Sequence, residues 1–187
     1  MMYLSKGIAR KRPATQELCV SHCGVSYMLS GLGSQLWRAG QFHLKEAQEV
    51  RQLKHLEKLQ QLGLVEVSEE TGVSGAYQIL SQCIICPAKP RPDWEPLLST
   101  EHTAWKWISA AGLRLTIGEL TKLFTENVLP TPALLGKENT RALVLALYAG
   151  NSGLDTTLEL QMAHAPKRDK VVNAVLGLLS KKRIILI

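Results

Sequence analysis

Four of the eight prolines, Pro87, Pro90, Pro92 and Pro96, fall within ten consecutive positions. Such a stretch cannot sit inside a helix or a central strand, because each ring fixes φ and removes a backbone N–H. It is extended and semi-rigid, and it divides the chain into two folding segments. The length of 187 residues suits that division, since domains cluster at about 100–150 residues and smaller ones are common. The expected organisation is a basic flexible arm over 1–15, a first domain over 16–87, a proline-rich linker over 88–98 and a helical second domain over 99–187. A loop packed onto the surface by Trp94 is the alternative at the same boundary.

Within the first domain, Leu32, Leu36 and Trp37 predict a helix ending at Gly40. Gln41–Leu44 reads as a short strand. Val50, Leu53, Leu56, Leu59 and Leu62 recur at helical spacing, and Gly63 closes that helix. Arg51, Lys54, His55 and Lys58 project from its opposite face. Leu64–Val67 alternates like a strand, 68–75 has the composition of a turn, and Ala76–Ile85 reads as a second strand.

The order helix, glycine, strand, turn, strand over about residues 25–87 resembles a winged helix. Leu56-Glu57-Lys58-Leu59-Gln60-Gln61-Leu62-Gly63-Leu64-Val65 is similar to the recognition helix and wing entry of bacterial winged-helix regulators. One departure is that no Gly or Pro between Leu44 and Leu62 marks a turn between a second and a third helix. Either a turn near Gln48 supplies it or one long helix takes its place.

After the prolines, a helix carrying Ala104, Trp105 and Ile108 is expected, capped at Ser99 or Thr100 and stopped at Gly112. A short strand over 113–116 and helices over 117–126, 138–149 and 155–163 follow, the last capped by Asp155 or Thr156. Pro166 opens a final helix whose inner arc is Val171, Ala174, Val175, Leu178 and Leu179. Arg183–Ile187 is a terminal strand. This second series also resembles a winged helix, and Leu98-Ser99 to Gly112-Leu115 echoes Leu29-Ser30 to Gly40-Leu44. The fold class is therefore mostly α with a short β hairpin, α+β, as tandem winged-helix-like domains.

Charge sharpens this. The formal net charge is +6, and its excess lies at two places. Residues 1–12 hold Lys6, Arg10, Lys11 and Arg12 with no acid, and Lys167, Arg168, Lys170, Lys181, Lys182 and Arg183 face only Asp169. Cationic clusters attract phosphate backbones by counterion release. The winged-helix resemblance implies binding of double-stranded DNA by a transcriptional regulator, with a helix in the major groove. The candidate DNA contacts are Arg51, Lys54, His55 and Lys58 in the first domain, and Lys167, Arg168, Lys170, Asn173 and Lys181 in the second. Asn173 is the one candidate base reader, because Asn can bridge adenine edges.

The same arrangement is similar to chromosome-condensation accessory proteins, which implies the alternative of a protein-interaction module or homodimer. The acids Glu66, Glu69 and Glu70 in the wing suit that reading, as does the Ile184–Ile187 edge if it is unpaired.

Cys19 and Cys23 form a C-x3-C pair and Cys83 and Cys86 a C-x2-C pair. No signal-like segment opens the sequence, so a reducing, cytoplasmic setting is expected and structural disulfides are disfavoured. Four thiolates could bind one zinc or an iron–sulfur cluster. The competing reading, with no cofactor, is that buried cysteines act as small apolar residues. No phosphate loop, dinucleotide turn, zinc-protease or nucleophile-elbow motif is found, so no enzyme is expected. No apolar run approaches the ~20 residues of a membrane span.

Overall fold

The buried sequence Met2-Tyr3-Leu4-Ser5 decides the architecture of the first segment. The computed structural model describes residues 1–10, 17–148 and 157–187, with the backbone of 155 and 156. The chain divides into two units, Met1–Cys83 with Ile185–Ile187, and Ile84–Ile184. Both α-helices and small antiparallel sheets are present, an α+β composition.

In the first unit β1 (Met2–Ser5) is buried at every position. It lies between β5 (Lys45–Glu46) and β6 (Val65–Ser68), antiparallel to both. A strand paired on both sides and covered on both faces needs apolar residues without alternation, which Met2, Tyr3 and Leu4 supply. Gly7, at φ +98°, turns the chain where a Cβ would come within 2.8 Å of Ser21 O. From that corner β2 (Ile8–Arg10) pairs with β3 (Leu18–His22), which pairs with β4 (Val25–Leu29). The β3–β4 hairpin closes through Cys23 and Gly24, both at positive φ (46° and 81°). That conformation matches the right-handed twist of the flanking strands.

Two helices follow, α1 (Gly31–Gly40) and α2 (Val50–Gln61). Trp37 of α1 is fully buried and donates from Nε1 to Lys6 O at 3.0 Å. Leu56 and Leu59 of α2 enter the same core as Tyr3, Val20 and Leu64. Gly63, at φ +70°, then reverses the chain, and Leu64 N donates back to Leu59 O. After β6 comes α3 (Gly72–Ser81).

Three expectations for this unit are overturned. Residues 1–10 are not a flexible arm: they hold β1 and β2, and Lys6 is 8% exposed with Nζ 2.6 Å from Glu66. Lys11, Arg12 and the remainder of the expected arm to 15 lie outside the described residues. Ala76–Ile85 is not a strand, since α3 covers most of it. Ala76, Tyr77, Ile79 and Leu80 form the buried side of this helix, and that periodicity outweighs the strand propensity of Tyr and Ile. The expected wing hairpin is therefore absent, and β6 pairs with β1 instead. Finally, the strand between the helices is Lys45–Glu46 and not 41–44, and a single helix, α2, follows it.

In the second unit β7 (Ile85–Pro87) leads into the proline segment. That segment is held in place by its aromatic: the Arg183 guanidinium lies 4.0 Å from the Trp94 ring centre, and Trp94 meets Trp105 edge-on at 5.4 Å. Five α-helices follow among the described residues: α4 (Ser99–Ala110), α5 (Ile117–Thr125), α6 (Thr140–Tyr148), α7 (Asp155–Met162) and α8 (Arg168–Ser180). The cap of α4 is Leu98 and not Ser99 or Thr100; the Glu101 carboxylate accepts from Leu98 N at 2.8 Å. Thr116 and Glu119 form a reciprocal capping box on α5. The expected caps of α7, Asp155 and Thr156, have side chains outside the described residues. Leu115 makes only an isolated bridge where a strand over 113–116 is expected.

The inner arc of α8 is buried as its spacing predicts: Val171, Ala174, Val175, Leu178 and Leu179. The final strand, β8 (Ile184–Leu186), is paired along one side in a two-stranded sheet, so it is not the unpaired strand that the partner-binding alternative invokes.

The first unit should depend on β1. Leu4→Ala, at a fully buried position, is expected to lower stability by about 2–5 kcal/mol. Urea denaturation checks this, and a flexible arm would give no change.

Candidate nucleic-acid interface

The face of α2 opposite the core is built by simple helical projection. At about 100° per residue, Arg51, Lys54 and Lys58 fall within roughly a 60° arc, turned away from Leu56 and Leu59. All three are exposed, and no carboxylate pairs with them among the described residues. His55 is half-buried at the margin, its Nδ1 2.9 Å from Arg51 O, an i to i−4 contact that fixes the ring against its own helix. Arg51, Lys54, His55, Glu57, Lys58 and Gln61 line an open depression of about 430 Å³. The four residues expected from sequence are thus brought together. Glu57 and Gln61 were missed, although the same projection places Gln61 one turn beyond Lys58.

The second expected cluster is not a continuous cationic face. Lys181 is excluded from it: its Nζ lies 2.5 Å from Glu101 Oε2 and 3.1 Å from Pro96 O. Glu101 is 5% exposed, so this ammonium neutralises a buried carboxylate and is committed to the fold. Arg168 bonds Asp169 and Ala163 O, both at 2.7 Å, which ties it to the start of α8. Lys167 donates to Asn127 Oδ1 at 2.5 Å. Lys170 and Asn173 are exposed on α8 as expected.

Among the described residues no group of three or more His, Cys, Asp or Glu could hold an ion. Cys19 is buried in β3, Cys23 is exposed at the hairpin turn, Cys83 is buried after α3 and Cys86 is buried in β7. Burial pushes the Cys83 thiol up to about 12, and the thiol donates to Ile79 O at 3.2 Å. Cys23 Sγ lies 3.4 Å from His22 Nε2, and burial, reinforced by the Lys6 charge, holds the His22 imidazole below its usual pKa.

No helix among the described residues is long and apolar enough to cross a membrane. Comparison with known proteins gives no matching family model, curated protein or solved structure.

Two outcomes check these assignments. In native protein near pH 8, Cys23 should react with a chromogenic disulfide and Cys83 only after unfolding, as single Cys→Ser variants will resolve. Lys181→Ala should destabilise the protein by about 3–5 kcal/mol, because Glu101 is left buried and unpaired; a thermal or urea melt reads it.

Proposed function

We propose that this chain is a non-catalytic DNA-binding protein of the transcription-regulator kind. The observation that carries the reading is the cationic face of α2: three exposed basic side chains, unpaired with carboxylates among the described residues, beside an open depression. Positive stripes of this kind raise local phosphate affinity and association rate. On this reading the first unit is a winged-helix variant. β5 and β6 flank α2 in the chain, and β1 takes the sheet position that a second wing strand would hold. In the second unit the contact set narrows to Lys167, Lys170 and Asn173 on and before α8, with Asn173 as base reader. The site of action on this reading is the cytoplasm.

A protein-interaction module is the second reading, and the β2–β3–β4 sheet favours it. β4 is the end strand of that sheet, and it exposes Val25 and Met28, 51% and 44% accessible. An edge with apolar exposure can accept a strand from another chain. The wing acids give this reading less support than the sequence suggests, because Glu66 pairs with Lys6 and Glu70 accepts from Gln78.

Selection from a pool of random duplexes tests the first reading. A regulator should enrich a motif, and Asn173→Ala should relax it at one adenine by about 1–3 kcal/mol. No retained duplex at low salt, with a polypeptide captured through β4 instead, would favour the second.

A further inference from the structure

We infer that α2 is a phosphate clamp whose three cations engage phosphates within a run of four on one duplex strand, without reading bases. This rests on the DNA-binding reading and specifies what its best-formed surface does. The first argument is composition. Arg51, Lys54 and Lys58 stand at the centre of the exposed face, while the shorter polar side chain, Gln61, lies at its end. The second argument is dimension. From residue 51 to residue 58 the helix rises about 10 Å at ~1.5 Å per residue, close to the ~10 Å between the first and the last of four successive phosphates of one strand, three steps of ~3.4 Å. The third is mobility of the contacts. Arg51, Lys54 and Lys58 have no hydrogen bond to a neighbouring side chain among the described residues, so their charges can follow a backbone of any sequence. Base reading needs side chains held in register by their surroundings.

Glu57 gives the assignment a sign. It shares the rim of the depression with the three cations. Beside a phosphate its carboxylate repels, and beside a base edge it would instead accept a hydrogen bond from cytosine. Removing its charge therefore strengthens a phosphate contact and weakens a base contact.

The experiment is fluorescence anisotropy on the full chain with two fluorescein-labelled duplexes of unrelated sequence, across about 50–200 mM KCl, the range over which counterion release is large. Wild type is compared with Arg51→Ala/Lys54→Ala/Lys58→Ala and with Glu57→Gln, each checked for an unchanged far-ultraviolet spectrum. The triple variant should lose about 2.7 from the slope of log K against log salt, at ~0.9 per phosphate. Its loss of affinity should be the same on both duplexes. Glu57→Gln should tighten binding about two- to fivefold, the size of one exposed charge interaction.

A loss that differs more than about tenfold between the duplexes would show that α2 discriminates bases, worth at least one ordinary base contact, and would overturn the clamp while leaving DNA binding intact. An unchanged slope in the triple variant would place the contact elsewhere with the same consequence. Weaker binding by Glu57→Gln also counts against it. Failure of wild type to bind either duplex at the lowest salt would sink both the clamp and the DNA-binding reading.

Discussion

Lys6 is the point through which the first unit is held together. Its backbone N donates to Leu64 O, its carbonyl accepts from Trp37 Nε1, and its ammonium meets Glu66. One residue thereby joins the end of β1 to the chain after α2, to the core face of α1 and to β6. The orientation of α2 follows from this. With Leu56 and Leu59 drawn into the core that Trp37 and Leu64 also fill, the opposite face of the helix has to point outward. The cationic stripe is the outer side of a helix whose inner side is fixed by packing, which is why three positive charges can sit close together without internal partners.

Helices were the more legible part of the sequence. α1, α2 and α8 are each ten or more residues long, show apolar residues at helical spacing and have glycine or proline at or near their ends. The strands were less legible because most are short and do not alternate. Met2–Ser5 reads as an unremarkable start, since a strand covered on both faces has no polar phase to reveal it. Cys23-Gly24 is a two-residue turn, but Cys is an unusual first residue for it, so the β3–β4 hairpin passed unnoticed. α3 was misread because Tyr77, Ile79 and Ile84 suggested a strand, while the small residues Gly75 and Ala76 hid the helical stripe. Gly75 packs so tightly that a Cβ would fall 2.1 Å from Glu70 O.

The candidate site was legible to the extent that charge follows helical geometry. Arg51, Lys54, His55 and Lys58 converge because all four belong to one helix, and the sequence contains that information. Lys181 drops out of the C-terminal cluster and Lys167 is tethered by partners that are distant in sequence. Glu101 is eighty residues from Lys181 and Asn127 forty from Lys167. A count of basic residues cannot distinguish an ammonium that faces solvent from one that neutralises a buried acid.

The stacking of Arg183 over Trp94 has a consequence for how this chain can vary. A guanidinium is flat and remains a donor while lying on an indole, and here its NH2 also reaches Glu95 O at 2.9 Å. A lysine ammonium matches the charge but cannot lie flat and bond sideways at once. Positions 94 and 183 are therefore yoked: drift at one removes the reason for the other. In divergent descendants of this sequence the two should be kept together or lost together, whatever happens to the prolines between which Trp94 stands.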